Sequence, residues 1–201
     1  IPQSSTHAHT HTHTHTHTHT HTHTHTVMAI RVLSADATKH VSLQLAETQR
    51  ASVELKSLLL EPSGGRWYRP VNSYDEVFPG VLLGDSDTAL STQEIKDLGI
   101  THILNAAQGH NNTAYDGYVS TSPSYYAKLK GVKYYGIPAL DMPGFYIKPY
   151  LRDAADFING ALKQGVLVHC QCGISRSAAL VVGFLMLKRG MNVQTALATI
   201  K

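Results

Sequence analysis

The sequence predicts an α/β domain: a central, mostly parallel sheet flanked by helices, with a functional loop between a buried strand and a central helix. Three observations predict it. Val166-Leu-Val168 is a continuous apolar run of the kind found in strands covered on both faces. Residues 176–188 read as a helix apolar nearly all round, hence buried. Upstream of both, strand signals and helix signals alternate from residue 81 onward.

Each element has a local reason. Residues 51–60 form a short helix, with Ala51, Leu55, Leu58 and Leu59 at helical spacing, and Pro62-Ser-Gly-Gly65 ends it. Residues 81–83 are a short strand. Ser91-Thr-Gln-Glu94 has the form of a capping box that opens a helix to Leu98, and Gly99 stops it. Residues 101–105 and 132–137 are strands. Residues 150–162 are a helix whose apolar stripe is Leu151, Ala154, Ala155, Ile158, Ala161 and Leu162, closed by Gln164-Gly165. Residues 170–175 form a loop after the strand at 166–168. Asn192 caps a last helix that Lys201 cuts short, so the final C-terminal helices of the domain are expected to be truncated.

The first residues belong to a different class. His and Thr alternate from residue 9 to 26, and ten of the 14 histidines fall in this tract and at His7. Neither face of such an alternation is apolar, so nothing drives its burial and residues 1–27 are expected to be disordered. Imidazoles can ligate zinc or copper. The simpler account is a CA dinucleotide repeat read in frame, with translation beginning at Met28. Residues 28–50 are polar and weakly patterned and are expected to be loosely ordered, which leaves 51–201 as the folded domain.

Composition excludes several classes. The formal charge is +3 with no Lys/Arg cluster, which argues against nucleic acid as partner. No apolar run approaches the ~18 residues of a membrane span. The only cysteines, Cys170 and Cys172, are two residues apart and cannot staple a fold. They point to a reducing compartment, cytoplasm or nucleus, and to chemistry rather than structure.

That chemistry is carried by His169-Cys-Gln-Cys-Gly-Ile-Ser-Arg-Ser177. Backbone N–H groups of a loop at a helix N-terminus converge on an anion, and the helix dipole supports them. Gly173 allows a backbone path closed to other residues. Arg176 can hold two phosphate oxygens through its planar fork. The same field favours the thiolate of Cys170, which is a nucleophile for phosphorus. Any one of these residues alone reads more simply as packing, a solvated charge or a turn. Their combination at these offsets does not.

The segment matches HCxxGxSRS, the signature of the dual-specificity protein phosphatases, and the chain from about Ser52 resembles their small atypical, VHR-like members. Gly99-Ile-Thr-His-Ile-Leu-Asn-Ala-Ala107, Tyr135-Gly-Ile-Pro-Ala-Leu-Asp141 and Ala154-Ala-Asp-Phe-Ile158 extend the match. The resemblance implies Cys170 as nucleophile and Arg176 as phosphate clamp. Gln171, Cys172, Gly173, Ile174 and Ser175 complete the phosphate-binding loop. It implies that Ser177 bonds the sulfur, that His169 orients the loop from behind, and that Asn105 steadies it from a neighbouring strand. Asp141 falls where the family carries its general acid, whereas Asp153 and Asp156 lie on a helix without a lid's mobility. Neither metal nor cofactor is required. Cys172 departs from the small or acidic residue usual in relatives and is read as packing rather than as a redox partner.

The resemblance further implies hydrolysis of phosphotyrosine and phosphoserine or phosphothreonine in protein substrates. Tyrosine-only relatives carry a Trp-Pro-Asp loop, but here the acid loop reads Leu140-Asp141-Met142 and the only Trp is Trp67. Phosphoinositide phosphatases place Lys in the loop, and RNA triphosphatases carry Asn-Arg-Thr in place of Ser175-Arg176-Ser177. The alternatives are a weakly catalytic phosphoprotein-binding relative and a phosphatase for non-protein phosphates.

Overall fold

The structure is a computed structural model that describes residues 35–60, 64–66, 70–109, 117–142 and 144–201. The His-Thr tract, Met28 and Trp67 lie outside the described residues. The chain divides into two compact units, Ile1–Leu43 and Gln44–Lys201. The described residues of the first unit are helical.

Helix α1 (Ala35–Leu60) corrects the expectation for the N-terminal segment. Residues 35–50 are helical rather than loosely ordered, and the helix expected over 51–60 is only its last part. The reason is propensity. Leu43-Gln-Leu-Ala-Glu-Thr-Gln-Arg50 is made almost wholly of straight-chain helix formers, but Leu43 and Leu45 remain exposed. Apolar periodicity detects a buried face, and this stretch has none to detect. The Gly65 amide ends the helix by donating to the Leu60 carbonyl at 2.9 Å.

Strand β1 (Tyr74–Phe78) pairs antiparallel with β2 (Val81–Gly84). β1 has no counterpart in the sequence reading because Asp75 and Glu76 stand exposed in its middle and break the alternation. Such charges are typical of an edge strand, where they discourage pairing with another chain. Helix α2 (Ser86–Leu90) was likewise too short for a periodic signal; the Asp85 carboxylate caps it, accepting from Asp87 N at 2.9 Å and Thr88 N at 3.2 Å. Helix α3 (Thr92–Asp97) starts where the capping box predicts, with Ser91 Oγ accepting from Glu94 N at 3.2 Å.

The remaining elements are β3 (His102–Asn105), β4 (Lys133–Gly136), a 3-10 turn (Lys148–Tyr150), α4 (Leu151–Ala161), β5 (Val166–His169), α5 (Arg176–Arg189) and α6 (Val193–Thr199). Asn192 caps α6 through Thr195 N at 2.8 Å. No helix among the described residues is long and apolar enough to cross a membrane.

The five strands lie in the order β1-β2-β5-β3-β4, and β2, β5, β3 and β4 run parallel. This is the mostly parallel sheet that the sequence predicts. β5 is central and wholly buried. Its residues alternate between two cores. Val166 and Val168 pack with Leu104 against α4, α5 and α6, while Leu167 packs with Ile103, Ala89, Ile95 and Tyr126 on the other face. Asp156 of α4 pairs with Lys188 in the last turn of α5, about 18 Å along that helix from its start. It is therefore remote from the loop that precedes α5.

Register places the site. Gly84 pairs with His169, His169 with Asn105, and Asn105 with Gly136. The four parallel strands therefore end in one row, and the segments that leave them gather beyond it at the carboxyl edge of the sheet.

Candidate active site

Cys170 is the first residue past β5 and is 2% exposed. Its sulfur accepts a hydrogen bond from Ser177 Oγ at 3.2 Å. Burial pushes the thiol up. The hydroxyl and amide of Ser177, the Arg176 charge and the amide of Cys172 together outweigh that, so the thiol ionises below its ordinary range. Removing the Ser177 hydroxyl withdraws one of these supports. In Ser177→Ala, the pH at which iodoacetate alkylates Cys170 is expected to move upward, and a profile that stays in place would show that the hydroxyl does not hold the anion.

The loop closes tightly around this sulfur. Gly173 has φ +74°, and a Cβ there would stand 3.1 Å from the backbone of Gly84. Only glycine lets the loop press against the end of β2. The Ser86 amide donates to the Gln171 carbonyl at 3.1 Å and fixes the outer side of the loop. Gln171, Cys172 and Ile174 are half-buried and Ser175 is exposed. Ser175 makes no side-chain cap on α5, so the first amides of a 14-residue helix face the loop with the positive end of its dipole. Cys170 and Cys172 are both free thiols.

Arg176 opens α5 and is 4% exposed. Its Nη1 donates to the carbonyls of Gly117 at 2.6 Å and Ala139 at 3.1 Å, and its Nη2 meets Asp141 Oδ2 at 3.2 Å. Its Nε is buried with no protein partner among the described residues. A buried guanidinium N–H left over in this way fits an anion supplied from outside. Asp141, on the loop after β4, has a half-exposed side chain and reaches inward through this pair.

His169 is fully buried at the end of β5. Its Nδ1 donates to the Cys170 carbonyl at 3.3 Å, and its Nε2 has no protein partner among the described residues. Burial holds the ring from 6.5 down to about 4, against the opposing effect of the backbone hydrogen bond. Unfolding releases a ring that takes up a proton at ordinary pH, whereas the folded chain refuses it. Stability is then full above about pH 6.5 and falls as pH drops toward 4, by on the order of 3 kcal/mol from this group. Urea unfolding at pH 7 and pH 5 checks this, with His169→Gln expected to flatten the slope between them.

Asn105 differs in detail from the sequence expectation. Its side-chain hydrogen bonds, among the described residues, go to other segments than the phosphate-binding loop. It donates to Val119 O at 2.8 Å, Thr121 Oγ1 at 3.0 Å and Tyr134 Oη at 3.2 Å, and accepts from Ala107 N at 2.8 Å. It fixes the segment that begins at Gly117, the residue whose carbonyl holds Arg176. Gly117 itself carries no signal in the sequence beyond a turn. It has φ +109°, and a Cβ there would lie 3.5–3.8 Å from Gln171, Arg176 and Asp141, so the loop after β5 and the segment of Asp141, distant in the chain, meet at Gly117. The carbonyls of Gly117 and Ala139 were not foreseeable, because any residue could supply them.

The arrangement gathers a thiol whose ionisation is favoured, inward amides, a braced guanidinium and a carboxylate around one small space. Such a space suits attack on a phosphate ester. A family model described as "Dual specificity phosphatase, catalytic domain" matches residues 81–201. The chain is 43% identical over 133 residues to dual specificity protein phosphatase 26 of Mus musculus, and 41% identical over 133 residues to that of Homo sapiens. Each match covers 65% of this chain and 59% of the relative, so the chain spans somewhat over half the length of these curated relatives. The crystal structure of human DUSP28 aligns with a TM-score of 0.53 at 21% identity, over 67% of this chain and 83% of that one, a likeness of fold.

Proposed function

Because the chain belongs to the dual specificity phosphatase family, we propose that it hydrolyses phosphotyrosine and phosphoserine or phosphothreonine esters of protein substrates through a phosphocysteine intermediate. One observation carries the reading above the others. The Cys170 thiol, its ionisation favoured by the Ser177 and Cys172 donors, lies beside a buried guanidinium whose Nε is left for an incoming oxygen.

The steps follow from the side chains. The phosphoryl group enters with its oxygens toward the loop amides and Arg176. The Cys170 thiolate attacks phosphorus as the bond to the ester oxygen breaks, and Asp141 in its acid form donates a proton to that oxygen. Water then attacks the phosphocysteine while Asp141 takes its proton. Phosphate leaves and the sulfur departs as a thiolate, eased by the Ser177 hydroxyl bonded to it at 3.2 Å. His169 keeps the start of the loop in place through the Cys170 carbonyl.

Asp141→Asn tests the reading. A missing proton donor matters most when the leaving oxygen is basic, so turnover of alkyl or phenyl phosphate should fall by about 10²–10⁴-fold. Turnover of p-nitrophenyl phosphate, whose leaving group needs little help, should fall less. The decline of rate at high pH should also disappear. Equal losses on all esters with an unchanged pH profile would direct the search to another acid. A reducing compartment, cytoplasm or nucleus, belongs to the same proposal, since the attacking group is a free thiol with a second free thiol two residues away.

A further inference from the structure

We propose that Tyr134 is a positioning residue for Arg176, acting through the strap of residues 117–121. This rests on the phosphatase reading, because its consequence is felt by a bound phosphate. Tyr134 lies on β4, and its half-buried hydroxyl donates to the Thr121 carbonyl at 2.7 Å while accepting from Asn105 Nδ2 at 3.2 Å. The strap is held from several directions. Asn105 also grips Thr121 Oγ1 and the Val119 carbonyl, and the Val119 amide donates to Ala107 O at 2.8 Å. Asn105, Thr121 and Val119 are all buried. A polar network closed on itself inside the protein behaves as a rigid unit.

The far end of the strap is Gly117, whose carbonyl receives Arg176 Nη1 at 2.6 Å. That bond, the one to Ala139 and the contact of Nη2 with Asp141 orient the guanidinium plane, so the direction of its remaining N–H groups depends on the strap. Beside Asn105, the Tyr134 hydroxyl secures the strap to the sheet, through the Thr121 carbonyl. Phenylalanine would keep the ring in its apolar cluster but strand the Thr121 carbonyl and loosen the strap. A guanidinium shifted by a fraction of an ångström costs rate without loss of charge.

The experiment compares Tyr134→Phe with Tyr135→Phe, the neighbouring strand residue on the opposite face of the sheet, and with Thr121→Val in parallel. Protein folded by circular dichroism is assayed with p-nitrophenyl phosphate, with active sites counted by phosphoenzyme burst and inorganic phosphate as competitive inhibitor. Tyr134→Phe is expected to lower kcat per active site about tenfold and to raise the Ki for phosphate by a similar factor. Thr121→Val should change both in the same direction, and Tyr135→Phe should change neither. A merely structural role would reduce the number of active sites and leave Ki unchanged, which would overturn the inference. So would an equal effect of Tyr135→Phe, or wild-type values in whichever of the two strap variants folds. Absence of turnover in the unmodified chain would instead defeat the phosphatase reading itself.

Discussion

Cys170→Ser is expected to lose turnover by about 10⁴-fold or more while the folded protein still binds a phosphopeptide. Three donors act on this atom: the Ser177 hydroxyl, the Ser177 amide and the Cys172 amide, with the Arg176 charge beside them. They favour ionisation of a thiol, but no such set makes an alcohol ionise, because a serine hydroxyl starts far higher. The variant keeps the cradle and lacks the attacking electron pair. Its phosphopeptide affinity, read by calorimetry, should stay near that of the wild type, and rapid quench should trap phosphate on the wild-type protein alone. Retention of turnover in the serine variant would mean that the bond to phosphorus forms elsewhere.

Arg176→Lys separates charge from geometry and should show the second-largest loss, about 10³-fold in kcat/KM. A lysine keeps a positive charge near the sulfur, so Cys170 should still be alkylated at low pH. It cannot reproduce the fork. The carbonyls of Gly117 and Ala139 lose their donor, and Asp141 loses its partner at 3.2 Å. Two buried acceptors left bare cost about 1–3 kcal/mol each, which should appear as a lower Tm. Activity within tenfold of the wild type would show that a point charge suffices and that planar recognition of the phosphate is unimportant.

The fold was legible where burial and spacing coincide. The Val166-Leu-Val168 run became the central strand, and the stripe of residues 150–162 became α4, because a two-sided or one-sided apolar pattern states how an element must be covered. β1 and the first half of α1 were not legible for the converse reason. β1 is an exposed edge with Asp75 and Glu76 in its centre, and α1 rests on propensity rather than on an apolar face. Within the site, the loop was readable because its chemistry needs particular residue types at fixed offsets. The partners of Arg176 were not, since backbone carbonyls carry no residue identity. Asn105 was indicated by the family resemblance, but its hydrogen-bond partners were visible only once residues 117–121 were seen folded over it.

By itself the sequence determined which atoms can react: a cysteine at a strand end, an arginine six residues later at a helix start, and a serine beside it. These are local facts, since a strand, a tight loop and a helix are contiguous in the chain. Only the tertiary structure decided what surrounds them. Strand register aligned four strand ends into one row, bringing Asp141 to Arg176 and the Gly117 strap behind it, over separations in sequence that no local pattern records. The physical reason is that a parallel sheet brings distant segments together through backbone pairing, which is indifferent to the side chains it delivers.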